Sequence, residues 1–194
     1  MNIVKTNFSY TNPLTPLVLD DIKYIILHHA EATIASPEDI HRWHLDNGWA
    51  GFGYNEYIRK DGIVYIGRGD FVGAQCQNYN SSSYGICCEG NFEQEMMNPV
   101  QLRVLIERIK YHKTRFKNYN CTAPHSQFCD TACPGKLFPL TRILQESEVK
   151  TMTFEEALKI LVEKGVIQSP DYWLKVGSIV KYFDTFVINV ASKL

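Results

Sequence analysis

The stretch IKYIILHH, residues 22–29, decides which fold this sequence predicts. Its first six residues form a short, nearly continuous apolar run, which is typical of a buried strand. His28 and His29 come at the end of this strand, where the chain passes into a loop and side chains can face a cleft. The stretch therefore predicts both an element of a sheet and a candidate functional position.

Further strands and helices are expected around this stretch. Ser36 and Pro37 form a typical helix start, and the pair Asn47-Gly48 is a typical helix end. Residues 54–58 and 63–66 predict two strands joined in a hairpin by Lys60-Asp61-Gly62. The remaining predictions are a strand over 84–88, a long helix from Asn98 to about Lys117, and an ordered loop over 125–139. This order of elements predicts an α/β fold with a central mixed β-sheet flanked by helices.

The composition changes after about Glu148, and the sequence then predicts a small helical unit. Thr153 and Glu156 form a capping-box signature before an apolar stripe that ends at Gly165, and Ser169-Pro170 begins a second predicted helix. We therefore expect a main domain over residues 1–147 and a helical module over 148–194. Two such helices cannot bury a full core alone, so they are expected to dock on the main domain, on each other across a dimer, or on a partner.

Charge and composition exclude some classes of function. The formal net charge is −1, which gives no electrostatic footprint for nucleic acid or for an anionic membrane. No apolar run is long enough to cross a bilayer, and the N-terminus lacks the pattern of a secretory signal, so we expect synthesis in a cytosol. Cysteines are then expected to be thiols or metal ligands rather than disulfides; they are Cys76, Cys87, Cys88, Cys121, Cys129 and Cys133.

Two histidines and a cysteine from distant segments form a candidate zinc site. His28 ends the first strand, while His125 and Cys133 lie eight residues apart in PHSQFCDTACPG. Taken singly, each has an ordinary explanation: a histidine bound to a backbone carbonyl, a loop histidine and a buried thiol. Together they supply three ligands and leave one coordination position open, which is the arrangement of a catalytic zinc.

Other polar residues are weaker candidates. Tyr54, in GFGYNEY, could donate a hydrogen bond to a developing oxyanion or orient water if it faces the open position. His41 and His44 lie one helical turn apart, a spacing that serves packing more often than metal binding. His29 is a candidate for orienting a ligand, and Cys121 and Cys129 flank the His125 loop as spare thiols or a loop staple.

The motifs, taken in order, resemble the type 2 N-acetylmuramoyl-L-alanine amidases, which include phage endolysins and catalytic peptidoglycan recognition proteins. The resemblance rests on IILHHA, GYNEYIRKDGIVYIGRG, VGAQ, SSSYGICCEGNF and PHSQFCDTACPG, and spans about residues 22–140. It implies one α/β domain with one zinc ion in an open cleft. It also implies hydrolysis of the amide between N-acetylmuramic acid and L-alanine of the stem peptide.

The resemblance also implies roles for single residues. His28, His125 and Cys133 match the zinc ligands, and Tyr54 matches a tyrosine beside the zinc. Thr131 stands where some relatives carry a lysine, so its hydroxyl is expected to hold the oxyanion less strongly than a charge would. Cys87 stands where another branch carries a catalytic glutamate, which leaves that role to Tyr54, with Glu89 as a lesser candidate.

The resemblance leaves other functions open. A missing secretory signal suits an endolysin, made in the bacterial cytoplasm and acting on cell-wall peptidoglycan after release. The runner-up is a receptor that binds peptidoglycan without cutting it, and the presence of Cys133 favours the enzyme. A structural zinc domain with Cys121 or Cys129 as fourth ligand, and an endopeptidase cutting inside the stem peptide, also stay open. Residues 148–194 are expected to target the cell wall, to form a homodimer, or only to extend the packing.

Overall fold

The computed structural model describes residues 1–148, 153–168, 172–173, 187–188 and 190–192. The chain divides into two compact units, Met1–Glu148 and Val149–Leu194. The first unit is a six-stranded sheet with helices on both faces. Its strands are β1 (Ile3–Lys5), β2 (Tyr24–His29), β3 (Glu56–Ile58), β4 (Val64–Ile66), β5 (Ser83–Cys88) and β6 (Cys121–Pro124).

The sheet has the strand order β1-β4-β3-β5-β2-β6. Only β3 and β4, the two strands of the hairpin, pair antiparallel, and the other four pairings in the sheet are parallel. β2 lies between β5 and β6, with His28 opposite Cys87 and Leu27 opposite Pro124. Because neighbouring parallel strands end at the same edge, the carboxyl ends of β2 and β6 bring His28 near the loop that begins at His125.

Three helices cover the sheet in this unit: α1 (Pro37–Asp46), α2 (Pro99–Arg115) and α3 (Leu140–Glu146). The Ser36 side chain accepts a hydrogen bond from the Asp39 backbone N–H, and the Asp39 carboxylate accepts one from the Ser36 N–H. Asn98 caps α2 in the same way, by accepting from the Gln101 N–H. These caps satisfy backbone donors that would otherwise lack partners at the helix starts.

The two faces of β2 belong to different parts of the core. Ile25 and Leu27 pack on the side of α2, in a cluster that also contains Leu105 and Ile109. The opposite face carries a smaller cluster that includes Cys87, Tyr57 and Ile40 of α1. Since side chains alternate along a strand, His28 points to the α1 side and His29 to the α2 side.

The predicted α/β class, with its mixed sheet and flanking helices, is confirmed. The predicted first strand begins two residues later than expected and includes both histidines, and the hairpin strand predicted from Tyr54 begins at Glu56. The sequence did not predict β1, β6 or α3. β1 and β6 are short, and β6 contains a cysteine and a proline, so neither carries a strong strand pattern of its own.

The second unit contains α4 (Phe154–Glu163), which begins at the predicted capping box of Thr153 and Glu156. Its apolar side belongs to a cluster of Ala157, Leu158, Leu161, Val187 and Ala191. The predicted helix start at Ser169-Pro170 lies outside the described residues. Among the residues that are described, no helix is both long and apolar enough to cross a membrane.

Candidate metal centre and active site

His28 is buried at the carboxyl end of β2 and is held by two neighbours. Its Nε2 atom lies 2.5 Å from Oε1 of Gln75, and its Nδ1 atom lies 3.7 Å from Sγ of Cys133. Because an amide oxygen only accepts, Nε2 carries the proton and Nδ1 keeps a free lone pair. Burial, with a smaller contribution from nearby His125, lowers the pKa of His28 to about 3. The ring is therefore neutral, which is the form that binds a metal.

The loop over residues 125–133 folds back so that its two ends meet. The Ser126 N–H donates to the Cys133 carbonyl at 2.9 Å, and the Cys129 N–H donates to the His125 carbonyl at 3.1 Å. The loop starts where β6 ends, so pairing of β6 with β2 fixes the position of His125. As a result the His125 ring lies 4.5 Å from the His28 ring, measured between centroids.

His28, His125 and Cys133 bring their candidate ligand atoms within 4.8 Å of one another. Two imidazoles and one thiol are a donor set typical of zinc, and three protein ligands leave one position open. Burial, and more weakly the Glu31 carboxylate, raise the pKa of Cys133 to about 12. Without a cation this thiol keeps its proton, and binding of a divalent metal would release it.

Tyr54 stands beside this group, with its ring 5.1 Å from the ring of His28. Burial raises the pKa of Tyr54 well above its usual value, and the neighbouring Cys87 and Cys133 raise it further. The phenol is therefore protonated at neutral pH. A neutral phenol at this place can donate a hydrogen bond but cannot serve as a strong base.

Thr131 and Glu89, the two lesser candidates, occupy different places. Thr131 faces the same cleft, and its Oγ1 atom accepts from the Cys133 backbone N–H at 3.2 Å. The Glu89 carboxylate accepts from the backbone N–H groups of Ala35 and Lys60 at 3.0 and 2.9 Å. Glu89 is buried and does not line the cleft, so its observed contacts are those of a residue that ties loops together.

His28, Tyr54, His125, Thr131 and Cys133 line a cleft of about 250 Å³. Its wall also contains Trp49, whose side chain is 55% exposed, and His44. A larger cavity of about 740 Å³ lies between β4 and α2, and two of its arginines pair with carboxylates of the same lining, Arg108 with Glu56 and Arg115 with Asp70. The smaller cleft, not the larger cavity, contains the convergent metal donors.

His41 and His44 hold the segment that precedes Tyr54. The Phe52 backbone N–H donates to Nδ1 of His41 at 3.0 Å, and the Gly53 N–H donates to Nδ1 of His44 at 3.1 Å. Their helical spacing places both on one side of α1, facing this segment. They therefore hold in place the backbone that leads into Tyr54. Among the described residues, neither histidine belongs to a candidate metal group.

Gln75 and Trp49 were not predicted from the sequence to have a role in the site. Gln75 lies in the quoted VGAQ motif, but only the folded chain shows that its amide contacts His28. Its other amide atom, Nε2, donates to the Ser83 hydroxyl at 2.7 Å, which fixes the orientation of the group. The VGAQ motif was the only sequence feature that could have indicated a role for Gln75, since spacing alone does not link residues 28 and 75.

Comparisons with known proteins identify relatives of this chain. The chain is 32% identical over 136 residues to the endolysin of Klebsiella phage KP32, covering 65% of this chain and 88% of that protein. It superposes on the N-acetylmuramoyl-L-alanine amidase LysC from Clostridium intestinale with a TM-score of 0.71 and 32% identity, covering 77% and 99% of the two chains. It also resembles a peptidoglycan recognition protein in the LCa–LCx complex with tracheal cytotoxin, with a TM-score of 0.65, 27% identity and coverage of 73% and 94%.

The family model described as N-acetylmuramoyl-L-alanine amidase matches residues 19–136. This range contains β2, the hairpin, β5 and α2, and it includes all three candidate metal ligands and Tyr54. Fold, cleft and sequence thus lead to one assignment: this chain belongs to the N-acetylmuramoyl-L-alanine amidase family.

Proposed function

We propose that this chain is a zinc-dependent peptidoglycan amidase that hydrolyses the bond between N-acetylmuramic acid and L-alanine of the stem peptide. The observation that carries the proposal is the convergence of His28, His125 and Cys133 at one end of a cleft, with Tyr54 beside them. Membership of the amidase family supplies the reaction. A site with three donors and an open side is suited to hydrolysis rather than to holding the fold together.

Zinc fits this donor set, and His28, His125 and Cys133 would hold it. Burial lowers the pKa of His125 as well as that of His28, so both rings are neutral and ready to bind a cation. When bound, zinc supplies a Lewis acid for the scissile carbonyl and lowers the pKa of water to about 7. Gln75 keeps the proton of His28 on Nε2 and so fixes which nitrogen is free to bind.

Tyr54 and Thr131 act on the substrate carbonyl in this proposal. As the amide carbon becomes tetrahedral, negative charge develops on its oxygen, and the protonated Tyr54 phenol donates a hydrogen bond to it. The Thr131 oxygen already accepts from the Cys133 N–H, which leaves the hydroxyl proton available as a second donor. Both groups are neutral, so they stabilise the charge without altering the net charge of the metal centre.

Similarity to the phage KP32 endolysin supports the bacterial cell wall as the place where the reaction occurs. In this proposal the protein accumulates in a bacterial cytoplasm, is released, and then acts on the cell wall. Its partner is peptidoglycan, in keeping with the similarity to recognition proteins complexed with tracheal cytotoxin. The second unit would add cell-wall targeting or dimerisation. Cell-wall pull-down and oligomer size, compared between the full chain and residues 1–150, would separate these two roles.

The second candidate function is recognition without cleavage, which the similarity to a recognition protein favours. The third donor distinguishes the two candidates, because a binding module does not need a thiol aimed at two histidines. Cys133 Sγ lies 3.7 Å from His28 Nδ1 here. A receptor would bind muropeptides and leave them intact, whereas the amidase would release free stem peptide.

Substitution of the thiol tests the proposal. Cys133→Ser in the full chain should lower zinc content and peptidoglycan-cleaving activity together, with activity falling by at least about a hundredfold. Cys121→Ser is the matched control, because Cys121 is a free thiol at the start of β6 that belongs to neither metal group. If Cys133→Ser kept both zinc and activity, the assignment of the centre would be wrong.

A further inference from the structure

A second pair of sulfur atoms lies beside the candidate metal centre. Sγ of Cys76 and Sγ of Cys129 are 3.4 Å apart, although the two residues are 53 positions apart in the chain. Cys76 is 2% exposed and Cys129 is half-buried. Neither residue belongs to the group of His28, His125 and Cys133. The amidase reaction therefore does not account for their closeness.

Backbone hydrogen bonds hold both cysteines in place. The backbone N–H groups of Gln75 and Cys76 both donate to the Asn80 side-chain oxygen, at 2.9 and 3.0 Å. The Cys129 N–H donates to the His125 carbonyl at 3.1 Å. Since a disulfide has an S–S length near 2.05 Å, the two sulfurs must approach by about 1.4 Å for the bond to form.

An aromatic cluster next to the sulfurs holds the two loops together. Phe128, next to Cys129, lies 4.8 Å from Tyr79 and 5.1 Å from Tyr24 between ring centroids. Tyr79 is in turn bound to the other loop, because its N–H donates to the Cys76 carbonyl at 3.1 Å. Aromatic pairs in such arrangements contribute packing energy beyond their buried area. The thiols are thus brought together by the fold and not by a chance surface encounter.

We propose that Cys76 and Cys129 are a site of reversible disulfide formation, which joins the loop carrying Gln75 to the loop carrying His125 and Cys133. The oxidant is a low-molecular-weight disulfide. Under reducing conditions the pair remains two thiols. After transfer to an oxidising environment the bond forms and ties the outer side of the metal-binding loop to the loop that orients His28.

The chemistry is thiol–disulfide exchange in two steps. Cys129, the more exposed thiol, loses a proton to solvent and attacks the oxidant, forming a mixed disulfide and releasing one small thiol. Cys76 then loses its proton and attacks Sγ of Cys129, which releases the second small thiol and closes the protein disulfide. Two electrons pass from the two cysteines to the oxidant. In the reduced pair, burial and then the hydrogen bond with Cys129 raise the pKa of Cys76 to about 12.

A second metal ion is the competing use of these sulfurs. Cys76, Cys129 and His125 also place candidate ligand atoms within 4.8 Å of one another. His125 belongs to both groups, so a metal held here would share a ligand with the centre of His28 and Cys133. A disulfide needs no third ligand and leaves His125 to the first centre. For this reason we favour the disulfide over a second metal ion. The number of zinc ions bound per chain distinguishes the two.

The experiment uses the full chain, loaded with zinc to protect Cys133, and treated with oxidised glutathione or with dithiothreitol. Oxidation should lower the number of free thiols by two relative to the reduced protein, and non-reducing peptide mapping should find the bond between residues 76 and 129. After chelation of zinc, the oxidised protein should melt roughly 5–15 °C above the reduced protein, because closing a loop of this length restricts the unfolded chain.

Variants provide the controls. Cys129→Ser should abolish both the change in thiol number and the rise in melting temperature, whereas Cys121→Ser should preserve both, because Cys121 is not part of the pair. Mapping on the unsubstituted protein decides the question even if a variant folds poorly. No loss of thiols, or a bond between other cysteines, would overturn the proposal. So would two zinc ions per reduced chain, falling to one in Cys129→Ser, because that result assigns the pair to a second metal.

Discussion

Oε1 of Gln75 lies 2.5 Å from Nε2 of His28, and this contact determines which His28 nitrogen faces Cys133. The contact links a loop between β4 and β5 to the end of β2, 47 residues away along the chain. An imidazole that donates from one nitrogen is a better and more strictly oriented ligand through the other. We therefore expect Gln75 to be a positioning residue for the proposed metal centre.

Gln75→Ala should weaken zinc binding by about 10–100-fold, the usual effect of losing a group that orients a metal ligand. Competition with a chromophoric chelator would measure the zinc affinity directly. Gln77→Ala is the matched control, since Gln77 is exposed in the same loop. Equal zinc affinity in the two variants would contradict the positioning role.

Tyr54→Phe removes only the phenolic oxygen. If that hydroxyl stabilises the developing oxyanion, kcat should fall by about 10²–10³-fold while zinc content stays the same. Steady-state hydrolysis of a muropeptide and metal analysis would separate the two effects. Tyr111→Phe, on the exposed surface of α2, should behave as the unsubstituted protein. A Tyr54→Phe variant with full kcat would remove Tyr54 from the mechanism.

In the proposed mechanism the Thr131 hydroxyl is an additional donor beside Tyr54, so we expect its removal to have a smaller effect. Thr131→Val keeps the shape of the side chain and should lower kcat by about tenfold, the lower end of the effect of losing a polar contact to the oxyanion. Thr131→Ser, which keeps the hydroxyl, should restore most of this loss. If the valine and serine variants had the same kcat, the hydroxyl would have no part in the reaction.

A buried ion pair on the other side of the sheet predicts how stability depends on pH. The Glu56 carboxylate accepts hydrogen bonds from Arg108 and Tyr84, and it lies 2.8 Å from Nε2 of His112. Burial alone would raise its pKa, but the hydrogen bonds from Arg108 and His112 outweigh burial and lower the pKa to about 2. A carboxylate with a lowered pKa stabilises the fold above its unfolded pKa, and this stabilisation is lost as the pH falls toward 2.

As the pH falls from 7 to 3, the Glu56 carboxyl becomes protonated in the unfolded chain but stays ionised in the native protein. The unfolding free energy should therefore fall by about 2 kcal/mol. Over the same pH range, the unfolding free energy of Glu56→Gln should fall by about 2 kcal/mol less than that of the unsubstituted protein. At pH 7 this variant should already be less stable by about 3–5 kcal/mol, because Arg108 loses its buried partner. Urea unfolding at both pH values measures the difference. Glu107→Gln, an exposed position on α2, should keep the original pH dependence. The same pH dependence in Glu56→Gln and the unsubstituted protein would contradict the assignment.

Local patterns were sufficient to predict some of the elements around the site, but not β6, which positions His125. The apolar run before His28 predicted β2, and the helix starts at Ser36 and Asn98 lie where the structure has them. The ligand set came from motifs in a known order, because no local property of residues 28, 125 and 133 shows that they meet.

Contacts that depend on the whole fold could not be predicted in this way. β1 pairs with β4 about 60 positions away, and β6 forms because the edge of β2 offers unpaired backbone groups. The contact between Gln75 and His28 and the pair Cys76 and Cys129 arise where two loops meet beside the sheet. Their sequences have no period or spacing that would have indicated these partners.

The identity of the bond that the protein breaks tests the proposed amidase activity most directly. Purified peptidoglycan would be digested with the zinc-loaded full chain, and the products identified by mass spectrometry and by labelling of new amino termini. The expected products are free stem peptides that begin with L-alanine, and glycan strands whose muramic acid residues carry a free lactyl carboxylate. New amino termini within the stem peptide, new reducing sugar ends, or intact peptidoglycan would contradict it.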